Sequence, residues 1–245
     1  MKTMNLSILA AALTLSLSTS HAFAVDPNVS EEEIQADHVF APKGFDNNDS
    51  SEIVVTGLLR NLCYKAPKAT ATVVGNQILV RVTALHIRAP GGYCAQMAVP
   101  FQEVIRLGVL TAANYQVVVT SQAPATPLET NLGVMEASTS SIDDFVYANV
   151  DWIETFKDSR RAVLHGYNPS DCFELDGIQL VSNAKDAYSV LPIMKQVRTT
   201  CPLKMVPFAY EFQVPAELTA SEILLHTRVL DGKSVNKIFF NVVAP

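Results

Sequence analysis

Cys63, Cys94, Cys172 and Cys201 are the residues in this chain with the most chemistry available to them. A cysteine nucleophile needs a free thiolate with a base beside it. An even set of cysteines in an exported chain instead pairs off as disulfides, and that use accounts for all of them. Beyond the N-terminal segment the histidines are His38, His86, His165 and His226. None stands in H-E-x-x-H, and no Cys and His have zinc-finger spacing, so no metal ligand set is expected. His86 and His226 lie in strand-like runs and read as satisfied or solvent-facing. No serine sits in G-x-S-x-G, and Ser138 to Ser141 read as loop. Asp143 and Asp144 are adjacent, so in a strand they would point to opposite faces, and they read as turn or surface residues rather than an acid–base couple. No catalytic residue and no cofactor are expected.

Two further groups could bind something. Asp46, Asn48, Asp49, Ser50 and Glu52 offer the oxygen donors that calcium favours, but without the D-x-D-x-D-G order, so a solvated turn is expected there. Phe145, Tyr147 and Trp152, with Phe156 beyond them, form an aromatic segment around the only tryptophan. It either locks two domains together or presents an aromatic recognition strip. Gly91-Gly92 lacks the Lys-Ser/Thr of a phosphate loop and reads as a turn.

These groups are carried on 245 residues, 49% hydrophobic and 17% charged, enough to bury a core and to exclude disorder over most of the chain. The formal net charge of −6, with no local basic patch, argues against a nucleic-acid partner. The N-terminus has the parts of a signal peptide: Lys2, a mostly apolar run from Leu6 to Leu17, and the small-x-small site Ala22-Phe23-Ala24. Residues 1–24 are expected to be removed, leaving no membrane span and a periplasmic or secreted protein.

The positioning elements follow from an internal repeat. Gly57 and Cys63 make G-x5-C, as do Gly166 and Cys172; Cys94 leads to Val99-Pro100-Phe101, as Cys201 leads to Val206-Pro207-Phe208. Recurrence of both landmarks, almost in step, predicts tandem duplication. The simplest pairing is then Cys63 with Cys94 and Cys172 with Cys201. Each bridge would close a loop of about 30 residues, worth about 3 to 4 kcal/mol by chain entropy. A bridge between the copies would also respect the repeat.

Short apolar runs recur from Ile53 to Val119 and from Ala162 to Val243, with hairpin signals at Gly75-Asn76 and Asp231-Gly232. They predict an all-β chain of two tandem antiparallel immunoglobulin-like sandwiches, each with one disulfide. The expected layout is a signal peptide over 1–24, a flexible polar N-terminus over 25–50, one sandwich over 51–122, an aromatic linker over 123–157 and a second sandwich over 158–245.

Cys94 to Phe101, then Ile105 to Leu110 and Tyr115, resemble the V-P-F…L-G-x-L…Y strands of small bacterial exported proteins with immunoglobulin-like domains. The stretch Leu224 to Lys237 is similar to the C-terminal hairpin of two-domain members of that group. The resemblance covers most of residues 50–245 and implies the fold and export. The group has no settled activity, so no functional residue is carried over.

The function expected is non-catalytic binding, or a structural role, in the cell envelope or outside the cell, with a protein or glycan as partner. The alternative is an exported inhibitor of a protease or other enzyme, in which a loop such as Arg88 to Tyr93 or Arg198 to Thr200, stiffened by its disulfide, enters a cleft.

Overall fold

The computed structural model describes residues 28–88, 91–120 and 128–241. The signal peptide expected over 1–24 lies outside them. The first half comprises β1 (Val29–Glu33), β2 (His38–Phe40), β3 (Phe45–Asp46), β4 (Ser50–Leu59), β5 (Tyr64–Val74), β6 (Gln77–Ile87), β7 (Val99–Val109), β8 (Ala113–Thr120) and β9 (Leu128–Met135). The second comprises β10 (Val150–Thr155), β11 (Arg161–Asn168), β12 (Phe173–Ser182), β13 (Ala187–Gln196), β14 (Val206–Gln213), β15 (Glu222–Val229) and β16 (Lys233–Phe240). No helix occurs among the described residues.

Each half is a pair of sheets. In the first, β2-β4-β7 packs on the sheet ordered β1-β6-β8-β9-β3, with β5 on the other edge of β6. Alternation along β6 buries Ile78, Val80 and Val82 against Ile53, Val55 and Ile105 of the facing sheet. In the second, β10-β11-β14 packs on β12-β13-β15-β16, and Ile153, Leu164 and Phe212 meet Val190, Ile223 and Leu225. The pairing scheme repeats: β4 with β7 as β11 with β14, β5 with β6 as β12 with β13, and β8 with β9 as β15 with β16. The sheets are mixed, because β6–β8 and β13–β15 run parallel in the two halves. Between each parallel pair the chain crosses to the opposite sheet as β7 or β14, which lets both strands run the same way.

The repeated sequence landmarks have a geometric cause. Gly57 stands opposite Phe101 and Gly166 opposite Phe208 in the strand registers. A Cβ on Gly57 would lie 2.7 Å from the Phe101 ring, and one on Gly166 would lie 2.8 Å from the Phe208 ring and 2.1 Å from the Asn149 carbonyl oxygen. Each glycine leaves room for the phenylalanine ring of its own V-P-F. The disulfides join Cys63 to Cys94 and Cys172 to Cys201, one in each half.

The segment expected to be a flexible tail, residues 25–50, is instead built into the sheets from Val29 onward as β1, β2 and β3. Its acids have cross-strand partners: Thr83 Oγ1 donates to Glu31, Tyr64 Oη to Glu32, and Arg81 pairs with Glu33 at 2.6 Å. Between the acids, Ile34, Ala36, Val39, Phe40 and Phe45 are buried. The expected linker over 123–157 also shrinks, since β9 closes the first half and β10 opens the second.

Candidate binding site between the two halves

Strands β4 and β15 are buried on both faces, which is unusual for a sandwich strand with one face toward solvent. One face of β4 carries Ile53 and Val55 into the first core, and its other face carries Glu52, Val54, Thr56 and Leu58 toward the second half. One face of β15 carries Ile223 and Leu225 into the second core, and its other face carries Glu222, Leu224, His226 and Arg228 toward the first. The outer face of β2-β4-β7 therefore lies on the outer face of β12-β13-β15-β16. Phe40, Val54, Ala187 and Leu224 form the dry centre of this joint, with Ile238 beside them.

At one end of the joint is a polar lock. Glu52 Oε1 accepts hydrogen bonds from Ser234 Oγ at 2.6 Å and Asn236 Nδ2 at 2.8 Å. His226 Nδ1 lies 2.9 Å from Asn236 Oδ1 and 3.2 Å from Glu52 Oε1, both acceptors, so Nδ1 carries the proton. Burial would raise the Glu52 carboxyl, but the hydrogen bond and charge of His226, with Ser234 and Asn236, outweigh it and hold it down from 4.5 to about 2. Beside them Arg228 donates to Asp49, and its guanidinium lies 5.2 Å over the Phe45 ring. Burial works against the Arg228 charge, and Asp49 and Tyr147 more than offset it, so the group sits above its ordinary value. The adjoining cavity of about 20 Å³ holds about one water molecule. This cluster ties the halves together, Glu52 of β4 to Ser234, Asn236 and His226, and Asp49 to Arg228; burial outweighs Arg228 at Asp49 and pushes its carboxyl up. Ser189 Oγ to Lys43 O, at 2.6 Å, and Asn183 Nδ2 to Ala41 O, at 3.1 Å, extend the joint.

At the other end the two faces part and leave a groove of about 430 Å³. One wall is Leu58 and Pro100; the other is Ile238 and Phe240; Asp37, His38, Gln102 and Glu222 supply its polar groups. His38 Nε2 stands 3.8 Å from Glu222 Oε2. Leu58 is 50% exposed and Phe240 72%. Thr56 lines the groove, with its hydroxyl buried and without a hydrogen-bond partner among the described residues.

The candidates from the sequence are placed as follows. Trp152 is half exposed on the outside of β10, stacked on His165 of β11 with ring centroids 3.9 Å apart, and His165 Nε2 lies 2.9 Å from Glu154. Phe145 is 46% exposed, but Tyr147 beside it is buried at 3% and bridges to Ile193. The three aromatics therefore do not make one exposed strip: Tyr147 is taken into the fold next to Arg228. The calcium donors of Asp46 to Glu52 are not a solvated turn either. Asp49 and Glu52 are spent on Arg228 and the His226 cluster, and Asp49 also accepts the Asp46 backbone N–H. Asp143 accepts the backbone N–H of Gly232, in keeping with a turn residue. Cys63, His86 and Cys94 gather possible ligand atoms within 4.8 Å, but both sulfurs are joined to each other and His86 Nδ1 faces Glu32 at 2.9 Å.

The joint and groove were not visible as such in the sequence. One signal does mark them. The outward positions of β8 are neutral (Asn114, Gln116, Val118), whereas the equivalent strand β15 carries Glu222, His226 and Arg228. Ionisable groups in one copy only, opposed by Asp49 and Glu52 of the other, point to a face that meets the other copy.

A family model described as the ORF11 β-sandwich domain matches residues 53–127, which span β4 to β8. No curated protein and no solved structure matches the chain. The family match and the observed sheets agree on a β-sandwich for the first half. No helix among the described residues is long and apolar enough to cross a membrane.

Proposed function

We propose that the protein is an exported, non-catalytic binding protein of two immunoglobulin-like sandwiches, working in the periplasm or outside the cell, with the groove between its halves as the binding site. The observation that carries this is the groove itself. It exists only because the two sandwiches are locked at one end and diverge at the other, and it exposes large apolar side chains from both. Ligand sites favour such concave junctions with a few polar groups at the rim. The two disulfides suit an oxidising compartment. The ionisable groups of the joint are committed to holding the halves together, which supports binding over chemistry. Arg198 fits a protease cleft less well, because its guanidinium is tied to Asp171 at 3.4 Å.

A photo-crosslinking residue placed at Leu58, with a second at the exposed Leu203 as control, tests the proposal in native envelope and culture medium. Capture at Leu58 that is absent at Leu203, and is lost when Phe240 is replaced by Arg, is the expected result. Equal capture at both positions, or turnover of peptide, ester or glycoside substrates by the purified protein, would overturn it.

A further inference from the structure

We propose that the groove receives an extended segment of a partner protein in which a large apolar side chain stands next to a Lys or Arg. The inference rests on the groove being the binding site and names what it binds. The walls, Leu58 and Pro100 against Ile238 and Phe240, are complementary to an apolar group, and the volume of about 430 Å³ accommodates one large side chain with its neighbour. The charged groups at the rim are Asp37 and Glu222, and among the described residues no Lys or Arg lines the groove. Among the described residues His38 is the only other ionisable group there, and it already faces Glu222.

An anionic ligand would therefore meet two carboxylates with no counter-charge, whereas a cation beside an apolar anchor meets both rim acids. A chain with a net charge of −6 adds a field of the same sign to draw in a basic segment. A glycan fits less well, because the walls are aliphatic and phenyl side chains rather than a flat platform with many polar groups around it. Leu58 and Phe240 are both at least half exposed, so the groove opens to the surface and a continuous chain can pass across it.

The test uses the chain from Val25 onward and three probes: the capped tetrapeptides Gly-Phe-Arg-Gly, Gly-Phe-Glu-Gly and Gly-Ser-Arg-Gly, with phenethylamine as a small cationic control. Amide shifts in a nuclear magnetic resonance titration locate and rank binding. The Phe-Arg peptide is expected to shift groove amides, with the other two peptides and phenethylamine about tenfold weaker. Asp37→Asn with Glu222→Gln is expected to weaken the Phe-Arg peptide by about the same factor and to make its affinity less sensitive to salt. These rim positions leave the melting temperature as the check that the variant is folded.

Preference for the Phe-Glu peptide, or unchanged affinity in the double variant, would overturn the basic-segment assignment and leave the groove as the site. Tighter binding of phenethylamine than of any peptide would replace the chain by a small amine and likewise leave the site. Groove amides unmoved by every probe, together with crosslinking at Leu58 no different from that at Leu203, would overturn both.

Discussion

Replacing Glu52 by Gln keeps the shape of the side chain and removes the charge on which the polar lock is centred. In the folded protein the carboxyl is held down from 4.5 to about 2. By linkage, that depression corresponds to about 3 kcal/mol of stability favouring the ionised, folded form. The sign follows from the direction of the shift: the contribution is fully present above about pH 4.5 and is lost as pH falls through the folded value near 2. Glu52→Gln is therefore expected to cost about 2 to 4 kcal/mol at pH 7, a fall of about 5 to 12 °C in melting temperature for a chain of this size. The gap between variant and native protein should narrow to below about 1 kcal/mol near pH 2.5, since that pH lies well below the unfolded value of 4.5 and only slightly above the folded one. Urea unfolding at several pH values measures it. Trp152, the only tryptophan, reports the second half by fluorescence, while circular dichroism reports both. Coincident transitions in the native protein that separate in the variant would show the lock coupling the halves. A variant within about 0.5 kcal/mol of the native protein at pH 7, or a gap that does not change with pH, would refute the reasoning.

Other outcomes follow from the same geometry. Gly57→Ala is expected to cost about 1 to 3 kcal/mol and to be partly rescued by Phe101→Leu; Gly166→Ala should cost more and not be rescued by Phe208→Leu, because its new Cβ also meets the Asn149 backbone oxygen at 2.1 Å. Thermal melts of the single and double variants check both. Serine at Cys63 and Cys94 together is expected to cost about 3 to 4 kcal/mol, as each bridge spans a long loop, and non-reducing denaturant melts will show it. Arg228→Met leaves Asp49 buried without its cation and is expected to cost about 3 to 5 kcal/mol, much of it recovered by Asp49→Asn in the same chain. Trp152→Ala removes one stack on His165 and is expected to cost about 1 kcal/mol while leaving crosslinking at Leu58 unchanged.

Much of the fold could be read locally. Alternating apolar residues set the strands of both halves, and Gly75-Asn76 and Asp231-Gly232 marked hairpins whose glycines do take positive φ. The repeat made the within-copy disulfides the simplest pairing while leaving bridges between copies open, and the structure has them within each copy. Where the reading failed, the residues were polar and their partners distant in the chain. Glu31-Glu32-Glu33 looks like a solvated tail until β6 supplies Thr83, His86 and Arg81. Tyr147 looks like a surface aromatic until Ile193 and the Arg228 cluster close around it.

The sequence by itself determined the strands from Ile53 to Val119 and most of those beyond Ala162, the repeated unit with its glycine-to-phenylalanine spacing, and a preference for one cysteine pairing. Each depends on short-range periodicity or on spacing within one copy. The tertiary structure alone decided how the copies meet. Glu52 and Thr56 have the pattern of a solvent face, as do His226 and Arg228, and period-two alternation cannot distinguish water from another sheet as the neighbour. Only the packing of one outer face on another buries these groups, pairs Glu52 with His226 and Asp49 with Arg228, and leaves the groove open where the faces part.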